Sequence, residues 1–462
     1  MSGVNKQVQE ELKACVSGWS SCFSMLRTAV VWACVATAIL FSPQLRAADQ
    51  QSQSPDTIVS LEQAKAHALL HNPGVKAAFE RWQSALEKIP QAEAFPDPRL
   101  SYTYYIENVE TRVGPQEQAF ALQQTLPWFG KRGLRGDVAG AAADAARQKY
   151  EQAKLDVLYD VKDAYYDLYF LRRAISITQG NMKLLEALEK VAQSRYKTGG
   201  PMLPLVQLQT ELGKLEDRLN EMRALRPARV ARLNAVLNRP AEADVAWPTG
   251  IVVPDAAPHA QELRDRLADN SPVLQTLDAE ARKFARKSEL AAKDRWPDVT
   301  LGMKYIQTGE ALNSSAPGSG TDPVMATVSI NLPIWRRKYA AAQAESETMQ
   351  RAVLSQKTQV QNNLEAHLEM VLFHYRDAAR KINLYRDTLI PKAEQSLKVA
   401  QQAFEGGETD FLSLIDAERM LLEFEVQYER ARTERARRLA EIEKMVGAEV
   451  ETAQQAQTEG ER

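Results

Sequence analysis

Apolar positions along this chain change period in a fixed order, and the order occurs twice. Over 59–94 a helical stripe is formed by Leu61, Ala64, Ala68 and Leu69, with Pro73 and Pro90 as expected interruptions and Pro96 and Pro98 as its end. Strict alternation follows. Leu100, Tyr102, Tyr104 and Ile106 face one way and Ser101, Thr103 and Tyr105 the other, which predicts a strand over 99–108 and a partner over 118–126. A proline-free stretch then predicts a helix over 134–198, with Leu155, Leu158, Val161, Tyr165, Leu168 and Leu171 forming a narrow coiled-coil-like stripe. A helix of ~60 residues would be about 90 Å long. It stops at Gly199 and Gly200, and a return helix is predicted over 203–238.

The second half runs through the same plan. Strands are predicted over 298–307 and 324–332, a long helix over 337–405 with Pro391 as its kink, a stop at Gly406 and Gly407, and a return helix over 410–446. Short motifs recur in register: Phe95-Pro96-Asp97 against Trp296-Pro297-Asp298, Leu126-Pro127-Trp128 against Leu332-Pro333-Ile334, and Tyr196-Lys197-Thr198-Gly199 against Phe404-Glu405-Gly406-Gly407. The reading is a tandem duplication, 57–239 and 259–448, joined by a linker over 240–258 and followed by a disordered tail over 449–462.

Residues 1–48 read as a signal peptide, with Met25 as an alternative start. Arg27 precedes an apolar run from Thr28 to Phe41, and Ala47 and Ala48 supply small residues for cleavage. The run is shorter than the roughly 20 residues a spanning helix needs. All three cysteines, Cys15, Cys22 and Cys34, lie in this segment, so the mature chain has no thiol chemistry. Net charge is −2 with no basic block, which gives no footprint for nucleic acid. Nucleophile elbows, phosphate loops and zinc motifs are lacking, so an enzyme is not expected, and no cofactor or metal site is expected.

The strands carry aromatic and basic flanks on the side of the helices. Trp128, Phe129, Trp296 and Trp335 form a candidate membrane-interface belt, followed by Lys131, Arg132, Arg336, Arg337 and Lys338. The far ends, Glu107 to Gln118 and Gly309 to Pro323, read as exposed extracellular turns. Four strands cannot close a barrel in lipid, where an open edge is costly. Two copies would supply eight strands and three copies twelve; a conducting pore favours three.

With the duplication, the strand pairs and the tip segments RYKTGGPMLPLVQLQTEL and AFEGGETDFLSLIDAERMLLE, the chain resembles the TolC-like outer-membrane efflux factors over about 57–448. The segment LPWFGKR is similar to that of the heavy-metal subgroup, and LNAVLNRP matches the family with Asn238 where glycine is usual. The resemblance implies a mainly α fold with a membrane β-barrel: a homotrimer whose long antiparallel hairpins form an α-barrel and whose strands form a 12-stranded β-barrel. It implies a passive exit duct in the outer membrane of a Gram-negative cell, reaching across the periplasm. Its glycine tips would dock a periplasmic adaptor and an inner-membrane pump of the RND type. It also implies a gate of acidic residues on the second tip. Asp416 matches that position, Ser413 departs from a second acidic position, and Tyr196 and Phe404 are the tip aromatics. Protein secretion through the same architecture, and a periplasmic coiled-coil scaffold, remain open alternatives.

Overall fold

The computed structural model describes residues 60–251, 259–312, 317–406 and 411–448. The predicted signal peptide, part of the predicted linker, Gly407 and the predicted C-terminal tail lie outside the described residues. Each half begins with short helices, passes through two strands and continues into a long helix. The first half contains α1 (Leu61–His71), α2 (Pro73–Leu86), α3 (Lys88–Glu93), β1 (Arg99–Thr111), β2 (Gly114–Leu126), α4 (Lys131–Lys197) and α5 (Leu203–Val236). The second contains α6 (Ala260–Asn270), α7 (Pro272–Lys293), β3 (Val299–Thr308), β4 (Val324–Ile330), α8 (Arg336–Leu384), a π-helical turn (Tyr385–Leu389), α9 (Ile390–Gly406) and α10 (Phe411–Val446).

Local chemistry sets these boundaries. Ser60 and Gln63 form a reciprocal capping box at the start of α1. Asn72 ends α1 and caps α2 by accepting from Gly74 N–H at 2.8 Å, and its amide donates to the Val236 carbonyl at 2.8 Å, which ties this corner to the end of α5. Pro73 and Pro90 therefore start helices here. They sit in first turns, where the missing N–H has no intrahelical partner to lose.

Pro391 is handled differently. It lies inside the second long helix, where its ring would meet the Asp387 carbonyl. A π-helical turn precedes it, with Ile390 N–H bonded to the Tyr385 carbonyl, five residues back. Asn238 adopts a left-handed φ of 55°. Arg239 N–H bonds to the Asn234 carbonyl and Asn238 N–H to the Ala235 carbonyl. That is a Schellman stop in which asparagine takes the glycine's place.

The strands form one antiparallel meander, β1-β2-β3-β4. Leu100, Leu122, Met303 and Ala326 align across it, as do Tyr102, Phe120, Tyr305 and Val324. These residues share one face. The other carries Ser101, Thr103, Gln123, Thr125, Thr300 and Thr327, with the Thr125 and Thr300 hydroxyls 2.9 Å apart. The sequence reading ended β1 at 108 and began β2 at 118. The strands instead run to Thr111 and from Gly114, with a bulge between Tyr104 and Val109. The loop after β3 also folds back onto this hairpin, Gly309 and Gly320 N–H donating to the Pro115 and Val113 carbonyls.

Among the described residues, the three largest apolar clusters hold the helices together. One lies under α1, where Ala64, Ala68, Val161, Leu168, Leu233 and Leu237 meet. Its counterpart under α6 joins Leu263, Leu267, Leu368, Leu372, Tyr375 and Ile442. The third fills the tip ends of both hairpins. Charged pairs reinforce the contact of α4 with both return helices. Arg229 and Arg232 reach Asp167 from α5, and Arg437 reaches Asp163 and Asp167 from α10. Among the described residues, no helix is long and apolar enough to cross a membrane.

Candidate functional site: the strand–helix junction and the helical tips

At the junction, β2 turns into α4 through Pro127 to Gly130, beside the turn that leads from α7 into β3. Trp128 stacks on Trp296 with ring centroids 5.3 Å apart and planes at 8°, and Phe129 meets Trp128 edge-on at 5.9 Å. Trp335 stands apart; it is 73% exposed and among the described residues has no ring partner. The structure thus brings together three of the four aromatics proposed for the membrane-interface belt.

Beneath the stacked pair is an interaction that sequence reasoning missed. Lys131 reads in sequence as one of several interfacial cations, yet it is 2% exposed. Its Nζ donates to Asp298 at 2.8 Å and to the Trp296 carbonyl at 2.9 Å, and lies 3.6 Å from Asp294. Asp298 also accepts from Trp128 N–H at 2.8 Å. One carboxylate therefore binds the end of the first repeat's strand pair to the start of the second's. Arg132 remains outside and covers the Phe95 ring at 3.5 Å.

At the first tip, α4 ends in a Schellman motif. Gly200 N–H bonds to the Arg195 carbonyl and Gly199 N–H to the Tyr196 carbonyl, with Gly199 at φ 94°. A Cβ on Gly200 would lie 2.9 Å from the Arg195 carbonyl oxygen, so this turn admits no side chain there. Tyr196 is exposed, as are Ser413 and Asp416 on one face of α10. Phe404 turns inward instead. It is 5% exposed, packs edge-on to Phe411 at 5.4 Å and carries Arg195 over its face at 4.7 Å. An apolar ring at this position is worth more in the tip core than in a water-filled opening. The first-half counterparts of the gate positions, Leu205 and Leu208, likewise pack into that core.

Asp416 lies 3.6 Å from Arg419, with its side chain 69% exposed. Arg419 in turn grips Glu211 of α5 with two hydrogen bonds, Nε at 3.1 Å and Nη2 at 2.5 Å. That grip outweighs burial and holds the Glu211 carboxyl below the usual range. Beside it Glu418 is fully buried, and neither carboxylate oxygen has a hydrogen-bond partner among the described residues. Burial first, and the Glu211 charge second, push its pKa up to about 7. Glu425, about two turns further along, is raised by burial against the Asn181 amide bond. Nothing in the sequence singles out these carboxylates. Their spacing carries no sign of burial, because the covering side chains come from α5 and α4.

Among the described residues, no group of three or more His, Cys, Asp or Glu could hold a metal ion. His367 is engaged with Glu441 at 2.9 Å.

The duplication and the four-stranded meander on long hairpins point to one family, and the sequence matches it twice. The Outer membrane efflux protein family matches residues 64–239 and again 263–448, once per repeat. The chain belongs to the outer membrane efflux protein family. Its place is the outer membrane of a Gram-negative cell, from which it extends into the periplasm. It is similar to the cobalt-zinc-cadmium resistance protein CzcC of Cupriavidus metallidurans, 24% identical over 80% of this chain and 85% of that one. Nodulation protein T of Rhizobium leguminosarum bv. trifolii is 22% identical over 82% and 83%. In fold the chain is similar to the outer membrane protein VceC of Vibrio cholerae, with a TM-score of 0.70 and 17% identity over 85% of this chain and 97% of that one. It is equally similar to CusC, with a TM-score of 0.70 and 14% identity over 84% and 92%.

Proposed function

We propose that this chain forms a homotrimeric exit duct of a tripartite efflux system, passing metal cations or small toxic molecules from the periplasm to the outside. The observation that carries this is the four-stranded sheet. It has one apolar face and two unpaired edges, and the helices run straight out of it. In lipid such a sheet is stable only if its edges are closed, and three copies close it around a lumen lined by Ser, Thr and Gln. The stacked Trp128–Trp296 pair and the exposed Phe129 and Trp335 would meet outer-membrane lipid at its periplasmic boundary. The Gly199–Gly200 and Gly406–Gly407 tips would dock the periplasmic adaptor and, through it, an RND-type inner-membrane pump, which supplies the energy. Similarity to CzcC favours divalent metal cations as cargo.

The test is deletion of the gene followed by growth in graded cobalt, zinc, cadmium and organic toxicants. Lost tolerance to one of these groups is the expected result. Unchanged tolerance to all of them, with loss of a secreted protein, would replace efflux by protein secretion.

In the trimer, three Asp416 carboxylates would ring the periplasmic opening and attract cations, with Ser413 and Tyr196 beside them. Asp416→Ala should weaken block by multivalent cations in planar bilayers roughly tenfold. Unchanged block would remove Asp416 from the constriction.

A further inference from the structure

The duplicated sheet specifies its own missing contact. The two hairpins have the same register once the repeats are aligned on Asp97 with Asp298 and on Pro127 with Pro333. Arg99 opposes Gln123 in the first hairpin, and their equivalents Thr300 and Ser329 oppose each other in the second. Leu100 with Leu122 becomes Leu301 with Val328, and Tyr104 with Gln118 becomes Tyr305 with Val324. The alignment thus transfers pairing from one repeat to the other without a slip.

The chain also contains one seam between repeats, β2 against β3, where Gln123 opposes Gly302 and Leu122 opposes Met303. That seam is clamped by Lys131, Asp298 and Trp128. The matching seam, β4 against a β1, does not exist within one chain, because both strands are edges. The clamp parts for it are present and idle. Asp97, the equivalent of Asp298, and Arg337, the equivalent of Lys131, are both exposed, and among the described residues neither has an ion-pair partner.

We infer that β4 of one copy pairs with β1 of the next in the register of the internal seam, and that Arg337 clamps Asp97 of the partner subunit as Lys131 clamps Asp298. This rests on the trimeric duct proposed above and specifies its contact. Transfer of the β2–β3 pairs places Ser329 opposite Ser101 of the partner subunit, Val328 opposite Tyr102 of the partner subunit and Ile330 opposite Leu100 of the partner subunit. The face assignment agrees. Val328 and Ile330 meet Tyr102 and Leu100 on the apolar side, and Ser329 and Thr327 meet Ser101 and Thr103 on the polar side. A slip of one residue would turn apolar side chains to the lumen and is excluded by the pleat. A slip of two keeps the faces but separates Arg337 from Asp97, so the clamp selects the register.

The experiment uses the full chain with Cys15, Cys22 and Cys34 replaced by Ser, purified in detergent. Two cysteine pairs, Ser329→Cys with Ser101→Cys and Val328→Cys with Tyr102→Cys, sample adjacent rungs. One of these rungs is a non-hydrogen-bonded pair with the shorter Cα separation. Oxidation should link subunits in at least one of these pairs roughly tenfold more than in the pairs slipped by two, Ser329→Cys with Thr103→Cys and Val328→Cys with Tyr104→Cys. Asp97→Arg and Arg337→Asp should each lower the temperature at which the oligomer dissociates, and the double swap should restore it. Trimers of normal mass that link preferentially in the slipped pairs, or a double swap without rescue, would overturn this contact and leave the duct standing. A monomer by light scattering in the unsubstituted protein would overturn both.

Discussion

Lys131→Met should destabilise the folded chain by about 3 kcal/mol, far more than replacement of any neighbouring cation. The ammonium of Lys131 is buried and bonded to Asp298 and to the Trp296 carbonyl, contacts that join residues 165 and 167 positions apart. Methionine keeps the length of the stem and removes the charge. Asp298 then retains Trp128 N–H and a partly exposed flank, which places the loss toward the lower end for a broken buried pair. Arg336→Ala, at an exposed position of the second junction, should change stability by no more than about 0.5 kcal/mol. Urea unfolding in detergent, followed by circular dichroism, measures both. Equal midpoints for Lys131→Met and Arg336→Ala would show that the clamp contributes nothing.

The prediction depends on a feature the sequence pattern did not reveal. Helices and the duplication were legible because a period near 3.6 and a repeated order of motifs are local signals. The strand centres were legible too, since lipid on one side and water on the other impose alternation. Beyond the lipid both faces of β1 and β2 are wet. Glu107, Glu110 and Glu117 then read as a loop, although the ladder continues to Thr111. Pro391 announced an interruption, but whether it became a kink or a π-helical turn depended on the carbonyls behind it. The site residues divide in the same way. Gly199 and Gly200 were legible because a helix stop is backbone chemistry. Phe404, Lys131 and Glu418 were not, because residues of the other repeat contribute to the burial of each.

The pair Glu211 and Arg419 shows what the duplication makes possible. Counted from the tip glycines Gly199 and Gly407, the two occupy the same position of their repeats, so the return helices meet there with one carboxylate and one guanidinium. A duplicated tip with identical residues would set like charges against each other. Divergence to opposite charges turns that repulsion into a bidentate contact, beside which Glu418 lies buried.

Glu418 should therefore make the folded chain less stable as pH rises from about 4.5 to 7. Its pKa is raised from an ordinary 4.5 to about 7, so across that window the folded chain holds a proton that the unfolded chain has lost. Where the folded state binds more protons, stability falls with increasing pH, and above pH 7 the whole penalty is present, about 3 kcal/mol. Glu418→Gln removes the ionisation while keeping the side-chain volume. At pH 8 it should raise the unfolding free energy measured in urea by most of that amount; at pH 4.5, where Glu418 is neutral in the folded chain, the two proteins should nearly coincide. Glu425, raised in the same direction, and Glu211, lowered in the opposite one, contribute equally to both proteins, so the difference between the two pH profiles belongs to Glu418. Parallel profiles would place the Glu418 carboxyl in contact with water. A converging pair would mean that the tip holds a neutral acid between Glu211 and Glu425 under acidic conditions. Ionising it would then bring a third carboxylate beside the only bidentate pair joining α5 to α10 among the described residues.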